Sequence, residues 1–170
     1  GLARAGMTEL VESMVKNFIH LQATIGLIPN GNRYYYATRS QPPVLYLMIE
    51  LLWDTKYQHE EKRLQHIADY LPALEKEHDF WMQSEHTKTV AGYTLNHYWS
   101  TSTAPRQESF YEDYTLARGS SEPEVLYRHL NAGAESGWDF SSRWFAEAHD
   151  LSTIQTTNIL PVDLNSLLFG

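Results

Sequence analysis

From Met7 the apolar residues recur at Met7, Leu10, Val11, Met14, Val15 and Phe18, the one-faced 3.6-residue spacing of an amphipathic helix. The spacing predicts a helix over Thr8–Ile25, closed by Gly26 as a left-handed cap. Leu27-Ile28-Pro29 then leads into Asn30-Gly31-Asn32-Arg33, a run of turn-forming residues. Tyr34 to Gln41 is expected to continue extended to Pro42-Pro43. Val44–Trp53 is apolar almost all round, which predicts a helix buried on most sides. Lys56–Tyr70 is amphipathic again, and Pro72 is expected to end that helix or to open a new one reaching Met82, because proline supplies no N–H to a helix interior.

Between Glu85 and Trp99 the period shortens. Thr87, Thr89, Tyr93, Leu95 and Tyr98 around Ala91-Gly92 predict a small β-hairpin. Ser100 to Arg106 is a loop, and a short helix is expected near Ser109–Arg118. Ser121-Glu122-Pro123-Glu124 has the form of a capping box with proline just inside, opening a helix to about Ala132. The last residues, Leu167-Leu168-Phe169-Gly170, resemble an unfinished helix, and both ends of the chain look cut. Helices joined by polar loops, with one hairpin, make a mainly α architecture. No short repeat and no internal linker divides it.

Composition narrows the function classes. A 42% hydrophobic and 20% charged chain of 170 residues can bury a core of its own. The net charge of −8 leaves no basic stripe for phosphates, which argues against nucleic acid and against anionic membrane surfaces. No apolar run reaches transmembrane length, and no cysteine is present to act as nucleophile or disulfide partner. Compartment stays open. Among the eight histidines, His59 with His66 and His78 with His86 are the pairs to weigh as metal ligands. Neither has the i, i+4 spacing of a helical zinc site, so solvated or hydrogen-bonded histidines are the reading. Asp54, Glu60 and Glu61 form a charged helix face, and Tyr34-Tyr35-Tyr36 is read as core in preference to a sugar platform.

The chemistry concentrates in Ala134-Glu135-Ser136-Gly137-Trp138-Asp139-Phe140-Ser141-Ser142-Arg143-Trp144. Gly137 allows the chain to bend just before Asp139. Asp139 then stands between two aromatic rings that are expected to exclude water and raise its pKa toward that of a usable general acid. A polar turn lying on a core is the plainer alternative. This run resembles the acid-bearing segment of trehalases, the glycosidases that split α,α-trehalose into two glucose molecules. Three further stretches resemble the same family in the same order. They are Ile28 to Arg33 followed by Arg39-Ser40-Gln41-Pro42-Pro43, then Pro105-Arg106-Gln107-Glu108-Ser109, and Ile159-Leu160-Pro161-Val162-Asp163-Leu164-Asn165. Gln107 stands where the family usually has proline, which frees a φ angle beside Arg106 and Glu108.

The resemblance implies that residues 1–170 are the central portion of a catalytic domain, truncated at both ends, forming part of an (α/α)₆ toroid with a small β-hairpin. It implies Asp139 as the general acid, and Asn30, Arg39, Ser40, Gln41, Arg106, Glu108 and Gly137 as contacts to trehalose. The general base falls in a downstream segment beyond this chain, so the 170 residues alone are expected to be inactive. No metal or organic cofactor is implied. Sugar hydroxyls donate and accept, which suits the forks of Arg39 and Arg106, the carboxylate of Glu108 and the amides of Asn30 and Gln41. Three alternatives remain. The arginines could tie loops to carboxylates, the chain could bind sugar without hydrolysing it, or a related α/α glycosidase could act on another disaccharide.

Overall fold

A computed structural model of the chain describes residues 1–59 and 61–169. The described residues are mainly α, with helices α1 (Thr8–Ile25), α2 (Leu45–Thr55), α3 (Arg63–Trp81), α4 (Phe110–Ala117), α5 (Pro123–Glu135) and α6 (Val162–Phe169), and strands β1 (Thr87–Val90) and β2 (Tyr93–Asn96). They fall into two compact units, one of residues 1–28 with 43–80 and the other of residues 29–42 with 81–170.

In the first unit, α1 has the expected bounds and ends at Gly26, whose φ of 89° is the left-handed cap. It packs on α2. Val11 and Val15 join Leu45, Ile49, Leu52, Tyr57, Tyr70 and Ala73 in one core, while Met7, Leu10 and Met14 stay exposed. Only one side of α2 is buried, against the expectation from its apolar sequence, since Leu47 and Leu51 face outward. The helix expected over Lys56–Tyr70 starts later, at Arg63, and passes through Pro72 without a break. Pro72 and Ala68 are both exposed, so the carbonyl that loses its N–H partner can turn to water. Lys56 Nζ reaches Glu9 at 2.7 Å and also pairs with Glu12, while Lys16 Nζ meets Glu12 at 2.6 Å. The hydrogen bonds from Lys16 and then Lys56 hold the Glu12 carboxyl down at about 2. Of the charged face, Asp54 and Glu61 are exposed and Glu60 lies outside the described residues.

In the second unit, β1 and β2 pair antiparallel from Thr87–Asn96 to Val90–Tyr93, with Ala91-Gly92 in the turn as predicted. The central element is α5. Nine of its thirteen residues are buried, and it packs against α4 and the 3₁₀ turn Thr156–Asn158. Pro123 opens α5, but Glu122 is the N-cap residue and makes no side-chain capping bond, so the expected capping box is not formed. Asn165 ties α6 to the hairpin, accepting from Asn96 N–H at 2.8 Å and donating to Asn96 O at 2.9 Å. Tyr34–Thr38 is a 3₁₀ helix, not extended chain, and Tyr34 is 95% exposed with Tyr35 and Tyr36 half-buried. The tyrosine run is therefore not core.

Candidate active site

The loop from Asn30 to Gln41 is fastened to α5 by its polar groups. Asn30 N–H donates to Arg39 O at 3.2 Å, closing the loop, and Asn30 Nδ2 donates to Ala134 O at 3.3 Å. Arg39, 3% exposed, uses all three of its guanidinium nitrogens. Nε donates to Asn30 Oδ1 at 3.3 Å, Nη1 to Asn131 Oδ1 at 3.2 Å, and Nη2 pairs with Glu108. Its Cζ also lies 5.0 Å from the centre of the Tyr36 ring, within cation–π range. Ser40 N–H donates to Glu135 Oε1 at 2.8 Å, and Ser40 itself is buried. Gln41 is half-buried.

Glu135 is a residue that sequence reasoning passed over. It is wholly buried, and its second oxygen accepts from Trp99 N–H at 2.8 Å. Burial pushes its carboxyl up to about 8, against the two backbone N–H bonds and the charge of Arg39, which favour ionisation. The available signal was its place among small and apolar neighbours, Leu130, Ala132, Ala134 and Gly137, at the end of a helix.

The Pro105–Ser109 loop turns back onto α4. Arg106 N–H and Nε each donate to Asp113 Oδ2 at 2.9 Å, and Nη2 donates to Asp113 Oδ1 at 2.7 Å. Gln107–Ser109 is a 3₁₀ turn. The freedom that Gln107 gives is thus taken up next door, by three bonds on Arg106. Burial opposes the Arg106 charge, but Asp113, Glu108 and Asp139 together raise its pKa above the ordinary value. Arg39, Arg106, Tyr34, Tyr35, Gln107 and Asn131 border a cavity of about 200 Å³.

At the acid segment, Gly137 has φ 71° and donates its N–H to Ala134 O at 3.2 Å, the bend its sequence position called for. Ser136 Oγ accepts from Trp138 N–H at 3.0 Å. Trp138 O accepts from Trp144 Nε1 at 3.1 Å, and the Arg143 guanidinium lies 4.6 Å from the Trp138 ring. Asp139 is exposed and Trp138 is 51% exposed, so the two flanking rings do not shut water out as expected. The Phe140 ring has a different task, lying 4.7 Å from Arg106 Cζ. That contact joins the acid segment to the Pro105–Ser109 loop.

Among the described residues the histidines form no ligand set. His66 stacks on Tyr57 at 4.2 Å and His86 meets Trp81 edge-on at 5.0 Å. Among the described residues no three His, Cys, Asp or Glu side chains gather as a metal site, and no helix is long and apolar enough to cross a membrane.

A family model described as Trehalase matches residues 1–170. The chain belongs to the trehalase family. It is 44% identical to a periplasmic trehalase of Pseudomonas aeruginosa, over 99% of this chain and 32% of that protein. Periplasmic trehalases of Escherichia coli O8 and Xanthomonas oryzae pv. oryzae are also 44% identical, over 99% of this chain and 31% of each relative. The chain therefore spans about a third of the length of these trehalases.

Proposed function

We propose that this chain is the central portion of a catalytic domain of the (α/α)₆ toroid class that hydrolyses α,α-trehalose to two glucose molecules with inversion. The observation that carries the reading is the meeting of the acid segment with a sugar-type arginine. Phe140 covers the guanidinium of Arg106, and Asp139 and Glu108 both act on its charge. In the proposed site, Asn30, Arg39, Ser40, Gln41, Arg106, Glu108 and Gly137 hold the disaccharide, and Asp139 protonates the bridging oxygen. A base supplied from outside these 170 residues activates water on the opposite face, the two carboxyls standing about 6.5–9.5 Å apart to admit it. Exposure of Asp139 in this chain accords with a site whose other wall comes from elsewhere in the protein. No metal or organic cofactor takes part.

The test replaces the matching third of the Pseudomonas aeruginosa periplasmic trehalase with this chain. Inversion at the cleaved centre yields one β- and one α-glucose, so proton NMR of the first products should show both anomers in equal amounts. Asp139→Asn should lower turnover by about 10²–10⁴-fold or more, while trehalose binding by calorimetry changes little. Unchanged turnover would remove Asp139 from the mechanism. Trehalose binding without turnover in the unmutated chimera would favour a sugar-binding segment that hydrolyses nothing, and preference for another disaccharide would favour a related α/α glycosidase.

A further inference from the structure

We infer that Asp113 is the positioning residue of this site, fixing the guanidinium of Arg106 so that one edge of its fork is left for a sugar hydroxyl. The inference rests on the trehalase reading and adds a residue to it. Asp113 is 2% and Arg106 8% exposed. A guanidinium carries five N–H groups in one rigid plane. Asp113 takes two of them, at Nε and Nη2, and that paired contact fixes the direction in which the plane points. The Phe140 ring, 4.7 Å from Cζ, covers one face and fixes the tilt. Asp113 also holds Arg106 N–H, so the backbone and the tip of the side chain answer to the same carboxylate.

By subtraction, both N–H groups of Nη1 and one of Nη2 remain, and no hydrogen bond within the described residues uses them. Arg106 borders the cavity beside Gln107 and Asn131. Arg39 differs, because each of its nitrogens already donates to Asn30, Asn131 or Glu108. Of the two arginines, Arg106 is the one with a whole nitrogen, Nη1, that makes no hydrogen bond among the described residues. Asp113 lies in the first turn of α4, where the helix dipole favours a negative charge.

The test uses Asp113→Asn, Asp113→Glu, Arg106→Lys and the double variant Asp113→Asn/Arg106→Lys. In the 170-residue chain, the Arg106 Nε–H resonance in ¹⁵N-resolved NMR should be sharp and slow to exchange, and should shift and exchange faster in Asp113→Asn, which keeps an acceptor but not the charge or the paired contact. In the chimera, Asp113→Asn should raise KM for trehalose by about ten- to a hundredfold. Asp113→Glu keeps the charge but moves it by one methylene at a buried site, so it should raise KM, and its urea midpoint, measured beside KM, separates positioning from folding. The double variant should be no worse than Arg106→Lys alone, because lysine has already lost the fork. Additive effects, or an Asp113→Glu variant with normal KM, would overturn the proposal. If the unmutated chimera failed to act on trehalose, the trehalase reading would fall. The Nε–H resonance would still decide the brace, and a shift and exchange rate unchanged in Asp113→Asn would show that Asp113 does not hold Arg106.

Discussion

Glu135→Gln sets the burial of one carboxyl against its hydrogen bonds. The wild-type side chain is wholly buried, and its oxygens accept from Ser40 and Trp99 N–H at 2.8 Å each. Glutamine keeps the shape but turns an NH₂ donor toward one of those donors. Losing that bond, with a buried N–H left unpaired, costs about 1–3 kcal/mol. Burial works the other way, raising the carboxyl from 4.5 to about 8. Between these values the folded chain holds a proton that the unfolded chain has released. Stability therefore falls as pH rises through this window, by about 1.4 kcal/mol per pH unit. Glutamine does not titrate and escapes that slope. The variant should be the less stable protein at pH 5, and the difference should shrink and then reverse by pH 8. Urea denaturation followed by tryptophan fluorescence reads this directly, since Trp81, Trp99, Trp138 and Trp144 share the compact unit of Glu135. A difference that stays the same at pH 5 and pH 8 would refute the reasoning, because the buried carboxyl would then not titrate in that window.

Arg106→Ala leaves the Asp113 carboxylate buried without its partner, so it should cost about 3–5 kcal/mol of stability as well as sugar affinity. Arg39→Ala uncovers Glu108, whose side chain is 23% exposed, and its thermal midpoint should fall by less than that of Arg106→Ala. Gly133→Ala places a Cβ 2.7 Å from Phe140 Cε1, so the ring must leave Arg106; a loss of about 1–3 kcal/mol with weakened trehalose binding is expected, read by thermal melts and calorimetry. Burial alone pushes Glu77 up to about 7, so its ionisation weakens folding as pH rises from 4.5 through 7. Glu77→Gln should accordingly raise the melting temperature at pH 8 more than at pH 5, and a fall at pH 8 would contradict it.

What could be read from the sequence was local. The Thr8–Ile25 helix, its Gly26 cap and the Ala91-Gly92 hairpin each follow from residues a few positions apart, and each stands where it was expected. Pro72 shows the limit. Its effect depends on whether the carbonyl it orphans can reach water, which is a property of the packed helix and not of the sequence pattern. Tyr34-Tyr35-Tyr36 has the composition of a core but lies on a 3₁₀ turn at the surface. The flanking rings of Asp139 were legible as neighbours, but Phe140 is directed by Arg106, 34 positions earlier in the chain. Asn131 and Asp113 carry no local pattern, and Glu135 has only its small and apolar neighbours to mark it. Their partners on the Asn30–Gln41 loop stand 92 and 95 residues away for Asn131 and Glu135, so only the fold reveals them.

These long-range bonds converge on one short piece of helix. The Asn30–Gln41 loop is tied at three points to the end of α5, through Arg39 to Asn131, Asn30 to Ala134 O, and Ser40 N–H to Glu135. Asp139 follows Glu135 by four residues, after the left-handed bend at Gly137. The Asn30–Gln41 loop and the Asp139 segment, which the proposal assigns to sugar binding and to the acid, therefore hang from the same helical turn. Displacing that turn moves both together, and the distance between them depends on Ser136, Gly137 and Trp138. Ser136 Oγ holds Gly133 O and Trp138 N–H at once, which stiffens that span from the helix side. A catalytic acid has to meet its leaving oxygen within hydrogen-bond reach. If the proposed roles hold, the arrangement meets that demand by referring both the sugar-binding loop and Asp139 to α5, so that their relative placing is set by one helical turn.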